Sequence, residues 1–213
     1  MQLLNDKEKF VFLMNKGWSK GLEDRGGIPT GIIAFAQEFR ADEPVMLRVK
    51  INTSYSPPGW NLQTELEKLD LPKDRAPIEV TTDMVEYKQL PKFYSGDVFL
   101  APTRSEAFGL TCIEAMACGL PVITTNFGGQ TDFVNDANGW LVGYDLEEVT
   151  WDNMYEGNRW ATPRIDELRK AMREAYTNYN LTKVKAANAL ATAQRYTWLN
   201  AAKKAMEALR CEN

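Results

Sequence analysis

Arg104 to Ile123 reads R-S-E-A-F-G-L-T-C-I-E-A-M-A-C-G-L-P-V-I, with Glu106 and Glu114 eight positions apart in a segment otherwise apolar enough for a core. Ahead of it runs V-F-L-A-P (Val98 to Pro102), and P-V-I-T-T (Pro121 to Thr125) closes it. Between these two apolar runs the polar turn T-R-S-E leads into a helix that ends at Gly119, where Pro121 bars continuation. Strand, turn, helix and strand make one unit of a parallel sheet. In such a sheet ligands bind at the carboxyl ends of the strands, so Glu106 is expected at the mouth of a cleft.

The same alternation extends in both directions. Upstream, the pattern predicts strands over Phe10 to Met14, Val45 to Ile51 and Ile78 to Thr82, and helices over Gly31 to Phe39, Leu62 to Leu69 and Tyr87 to Tyr94. Downstream, a short helix near Thr131 to Val134 and a strand near Trp140 to Val142 follow. From Ile165 the periodicity turns wholly helical: Leu168, Met172 and Tyr176 recur four apart, and further helices are expected over Lys183 to Arg195 and Trp198 to Leu209. Asp145 to Thr162, with Trp151, Tyr155 and Trp160, reads as a long loop whose aromatics pack on the sheet edge. The fold class is therefore α/β: a single Rossmann-like domain with an about six-stranded parallel sheet flanked by helices, its core at residues 1–164 and a helical C-terminal extension at 165–213.

Composition narrows the chemistry. A chain of 213 residues, 44% hydrophobic and 25% charged, holds enough apolar content for a core. The net charge of -4 argues against a general nucleic-acid surface. No apolar run is long enough for a transmembrane segment, and the charged first ten residues carry no signal peptide. Three cysteines without C-x-x-C spacing favour a reducing, cytoplasmic setting. The absence of histidine removes Ser-His-Asp and Cys-His catalysis and most zinc sites, so carboxylates, Lys, Arg and backbone N–H groups must do the work.

At the helix tip, the N–H groups of Ala107, Phe108, Gly109 and Leu110 are expected as unsatisfied first-turn donors, an anion site aided by the helix dipole. Gly109 lets a phosphate or sugar approach the backbone. The plainer reading makes Glu106 an acidic residue near a helix start and Glu114 a surface carboxylate. The apolar neighbours Ile113, Ala115, Met116 and Ala117 favour instead a ligand hydroxyl or a cation as partner for Glu114.

These residues resemble the E-x7-E motif of retaining glycosyltransferases of the GT-B fold, family 4 (group 1). L-P-K-F-Y-S-G-D-V-F-L-A-P-T-R-S-E before the motif, T-T-N-F-G-G-Q-T-D-F-V after it, N-G-W-L-V and Y-T-W match in order, so the resemblance covers most of Phe10 to Leu209. It implies one half of a GT-B fold, the C-terminal donor domain, taking a hexose from a UDP or GDP sugar without a cofactor or metal. Glu106 would contact the donor sugar, Glu114 the ribose hydroxyls, and the backbone of Ala107, Phe108, Gly109 and Leu110 the sugar and diphosphate. Asp83 to Val85, with Met84 at their centre, would flank the base or serve only as a strand-to-helix loop.

The family's basic R-K-G after the first strand has its counterpart in D-R-G-G, with Arg25 on the Arg and Gly26 where the Lys should be. The preceding N-K-G-W-S-K-G, from Asn15 through Gly17 to Gly21, offers Lys16 or Lys20 for the same phosphate. The stretch is similar to only the second, donor-binding domain of such an enzyme, so the expected partner is an N-terminal acceptor domain or a second copy through the Trp198 to Leu209 helix. The alternative is a non-catalytic nucleotide-sugar-binding module. An epimerase of similar architecture is disfavoured by the lack of histidine, and a dehydrogenase by the lack of G-x-G-x-x-G after the first strand.

Overall fold

The computed structural model describes residues 9–150 and 155–210. Six strands, β1 (Phe10–Gly17), β2 (Val45–Asn52), β3 (Ile78–Thr81), β4 (Val98–Ala101), β5 (Val122–Thr125) and β6 (Gly139–Val142), form one sheet in the order β3-β2-β1-β4-β5-β6. Every pairing in it is parallel. Strand order reverses between β1 and β4, which opens a crevice at their carboxyl ends.

The continuous apolar run of β1 reflects burial on both faces. Phe10, Phe12 and Met14 face one core with Phe35 of α1 (Ile28–Glu38) and with Leu168 and Met172 of α5 (Ile165–Thr177). Val11 and Leu13 face the other, with Cys112 and Met116 of α4 (Leu110–Ala117) and Ala189 of α6 (Tyr179–Ala193). In β2, Leu47, Val49 and Ile51 point to the first core, which leaves Met46, Arg48 and Lys50 on the α4 side.

Several expectations change at the edges of elements. β1 runs on to Gly17, and α1 begins at Ile28 because Gly27, left-handed at φ 77°, caps it and Pro29 fits its first turn. Tyr87 to Tyr94 splits into a 3₁₀ turn and the single-turn α3 (Leu90–Phe93), and the helix near Thr131 is a 3₁₀ turn over Gly129–Asp132. α2 occupies Leu62–Glu67. α6 starts four residues earlier than its apolar spacing suggests, because the Asn178 side chain caps it by accepting from Leu181 N–H.

The expected loop at 145–162 is instead an antiparallel hairpin of β7 (Tyr144–Glu148) and β8 (Arg159–Pro163). Its charged outward residues mask the alternation, while Trp160 and Val149 are buried. Trp151 lies outside the described residues. The last helix, α7 (Trp198–Arg210), buries none of its residues and presents Trp198, Leu199, Met206 and Leu209 to solvent. No helix among the described residues is long and apolar enough to cross a membrane.

Candidate functional site

At the switch point a cleft of about 1020 Å³ opens over the carboxyl ends of β2, β1 and β4. Its lining includes Gly17, Lys20, Arg25, Met84, Glu106, Ala107, Phe108 and Leu110, so eight of the ten sequence-predicted site residues converge on it. Gly109 and Glu114 lie behind the lining, Glu114 one turn deeper on the helix face that carries Leu110 and Thr111.

The floor on the β1 side is built by a buried carboxylate. Asp24 accepts hydrogen bonds from Ser19 N–H (2.8 Å), the Ser19 hydroxyl (3.1 Å) and Gly26 N–H (2.9 Å). Burial pushes its pKa up, against the pull of those bonds. Gly27 then passes so close to β4 that a Cβ there would stand 2.0 Å from the Pro102 carbonyl oxygen. The D-R-G-G run is therefore a tight turn held at both ends, and it leaves Arg25 exposed on the rim, without an ion pair among the described residues.

Glu106 sits in the turn ahead of α4, which begins at Leu110 rather than at the first motif residue. One carboxylate oxygen accepts from Phe108 N–H (3.4 Å) and Gly109 N–H (3.2 Å), and the other is ion-paired with Lys16. Two of the expected ligand donors are thus occupied by Glu106 itself. The N–H groups of Leu110 and Thr111 stand ahead of the first intrahelical acceptor and take no partner among the described residues. Burial pushes the Glu106 pKa up, but the Lys16 charge and the hydrogen bonds outweigh it and hold the carboxyl below its ordinary range.

The N-F-G-G-Q turn closes the far side of this tip. Gly129 N–H donates to the Glu106 carbonyl (3.0 Å), a Cβ on Gly129 would fall 2.0 Å from the Ala107 carbonyl oxygen, and one on Gly128 would fall 2.6 Å from that of Glu106. Gln130 is buried and donates to the Phe127 carbonyl (2.7 Å), which fixes the turn.

Glu114 has a partner that its apolar sequence neighbours do not reveal. It accepts from the Tyr94 hydroxyl (2.9 Å), which in turn accepts from the Asn15 amide (3.3 Å). Burial and the adjacent carboxylate raise the Tyr94 pKa far above its ordinary value, so the phenol stays a donor. Cys112, on the same helix, is fully buried and its pKa is pushed up to about 12, which leaves it inert.

The opposite wall comes from the hairpin. Arg104 is buried; its guanidinium donates to Glu147 (2.8 Å) and Thr162 (3.0 Å), and its main chain takes Ala161 N–H (2.9 Å) while giving its own N–H to the Arg25 carbonyl (2.9 Å). This stitching brings Tyr155 and Trp160, with ring centroids 5.1 Å apart, to the cleft. Lys50, Asn52 and Tyr55 also line it. Of these, only Lys50 left a trace in the sequence, as one of two charges, with Arg48, in a mostly apolar strand.

Comparison with known proteins decides the family. A family model described as glycosyl transferases group 1 matches residues 62–189, which carry both motif carboxylates, Tyr94 and the N-F-G-G-Q turn. The chain belongs to this family. Among its relatives, a sucrose synthase from Beta vulgaris is 34% identical over 103 residues, covering 48% of this chain and 12% of that enzyme. The group 1 fold is seen in the C-terminal domain of the glycosyl transferase LpcC from Francisella tularensis, with a TM-score of 0.63 at 19% identity over 88% of this chain and 85% of that one. HepE from Anabaena, solved in complex with UDP and glucose, gives a TM-score of 0.66 at 21% identity over 96% of this chain and 49% of that one. The chain spans about half the length of HepE and a smaller part of the sucrose synthase.

Proposed function

We propose that this group 1 domain binds a nucleoside diphosphate sugar in the switch-point cleft and, joined to an acceptor-binding partner, transfers its hexose with retention. The observation that carries the reading is the Lys16–Glu106 ion pair beside the open N–H groups of Leu110 and Thr111, a cation and two donors around one carboxylate. Glu106 would take the hydroxyls of a glucose- or mannose-type sugar, and Glu114 the ribose hydroxyls. Transfer leaves the nucleoside diphosphate with an added negative charge, which positioned cations and N–H dipoles stabilise without a metal or cofactor. Arg25 and Lys20 stand on the cleft to share that role, with Gly17 lining it beside them, packed against the Tyr55 side chain.

The glycine at position 26 finds its compensation here. A Cβ on Gly26 would stand 3.3 Å from the Lys16 Cβ, so the Lys16 side chain rises beside the place a lysine at 26 would start from. HepE, whose structure contains UDP and glucose, supports a UDP sugar, and a GDP sugar fits the same groups. Met84 and Val85 would flank the base.

The exposed apolar side of α7 would meet the acceptor domain or a second copy of this chain. A reducing, cytoplasmic site of action accords with the unpaired thiols of Cys112 and Cys118. Calorimetric titration of UDP-, GDP- and ADP-sugars against wild type and Glu114→Ala tests the reading. Absence of binding by all three, or binding indifferent to Glu114, would overturn it; binding without donor hydrolysis or transfer in the presence of the partner would leave a binding module.

A further inference from the structure

Lys50 and Lys185 are both 6% exposed, and they contrast sharply. Lys185 donates to the carbonyl oxygens of Asp136 and Gly139. Lys50 lines the cleft, and its ammonium takes neither a hydrogen bond nor an ion pair among the described residues. A cation that is nearly buried, lines a cleft and has no protein partner among the described residues is placed to take one from outside.

Its place in the sheet says what that partner is. Lys50 pairs in register with Asn15 of β1 and Thr81 of β3, on the sheet face that carries the Asn15–Tyr94–Glu114 relay. It is two strands removed from β4, whose carboxyl end leads to Glu106, and lies toward Met84, Val85 and Leu90. Of the groups suited to a diphosphate, Lys16 follows Asn15 on β1 but is ion-paired with Glu106, and the α4 start lies beyond it, after β4. An ammonium beside a mostly apolar wall suits a flat, uncharged ring that presents an oxygen acceptor.

We propose that Lys50 holds a ring carbonyl oxygen of the donor's base and so sets base preference, favouring uracil or guanine over adenine, which carries an amino donor in place of a carbonyl. The inference rests on the donor-site reading above.

Titration of UDP, GDP, ADP and inorganic pyrophosphate against wild type and Lys50→Met, with thermal denaturation of both proteins, tests it. The expected result is tighter binding of UDP or GDP than of ADP by wild type, and a roughly 10- to 100-fold loss of the preferred nucleotide in Lys50→Met. ADP and pyrophosphate binding should stay nearly unchanged, and the melting temperature should not fall, since the ammonium holds nothing in the protein. Equal losses for pyrophosphate or ADP, no loss for any nucleotide, or a lowered melting temperature would overturn the assignment while leaving the donor site standing. Failure of wild type to bind any nucleotide would overturn both.

Discussion

Lys16 and Glu106, 90 residues apart in the chain, form an ion pair across the switch point, with their side chains 17% and 19% exposed. β1 supplies one partner and the turn after β4 the other, so the pair exists only when the central strands are in register. Glu106→Gln keeps the shape and removes the charge. The transfer proposed for the domain with its acceptor-binding partner should fall at least about 100-fold, as for loss of a group aligned with developing charge.

The same pair shapes stability against pH. The Glu106 pKa is held below its ordinary value of 4.5, so its contribution is present above that value and lost as pH falls through the lower folded value. Denaturant titrations from pH 7 down to about pH 3 should show a shallower acid decline in Glu106→Gln than in wild type.

Glu114→Ala strands the Tyr94 hydroxyl and removes the acceptor proposed for ribose. Nucleotide affinity should drop by roughly 10- to 100-fold in calorimetry. Tyr94→Phe separates the two effects: it should cost about 1 kcal/mol of stability while leaving the carboxylate in place and nucleotide affinity within about threefold.

Gly27 and Gly26 are adjacent and should tolerate substitution unequally. Gly27→Ala puts a methyl group into the Pro102 carbonyl at a left-handed φ of 77°, and should destabilise by about 3 kcal/mol or more in chemical denaturation. Gly26→Ala meets Asp24 Oδ2 at 3.0 Å and the Gly17 carbonyl at 3.1 Å, a tight fit that small shifts relieve, and should cost about 1 kcal/mol.

Arg104→Met should loosen the hairpin and leave the sheet intact. Its guanidinium carries the Glu147 and Thr162 bonds. Hydrogen exchange of the amides in 159–163 should quicken by about tenfold or more, with β1 and β4 amides unchanged.

The parallel strands were legible because F-V-F-L-M, V-M-L-R-V-K-I and P-V-I-T-T are short, largely apolar runs rich in Val, Ile and Phe that alternate with longer amphipathic stretches. The cleft was legible through Glu106 and Glu114, whose charges conflict with their surroundings. What stayed hidden depends on partners distant in sequence. The relay from Asn15 through Tyr94 to Glu114 spans three elements, and neither residue before the carboxylate announces it. The hairpin was hidden for a different reason: Y-D-L-E-E and R-W-A-T-P carry too few apolar residues on one face to declare a strand, and Arg104 holds them in place from another segment. Helix starts also escaped periodicity, since Gly27 and Gly109 set them by backbone conformation.

Behind Glu106 and Ala107, Gly128 and Gly129 press main chain directly on main chain, with no room for a methyl group. That wall is made of peptide alone and has no side chain to exchange, so it offers evolution nothing to adjust. Any change in the cleft's outline therefore falls to the side chains on its open side, Phe108, Leu110 and the hairpin's Tyr155 among them, while the glycine seam sets the fixed wall opposite.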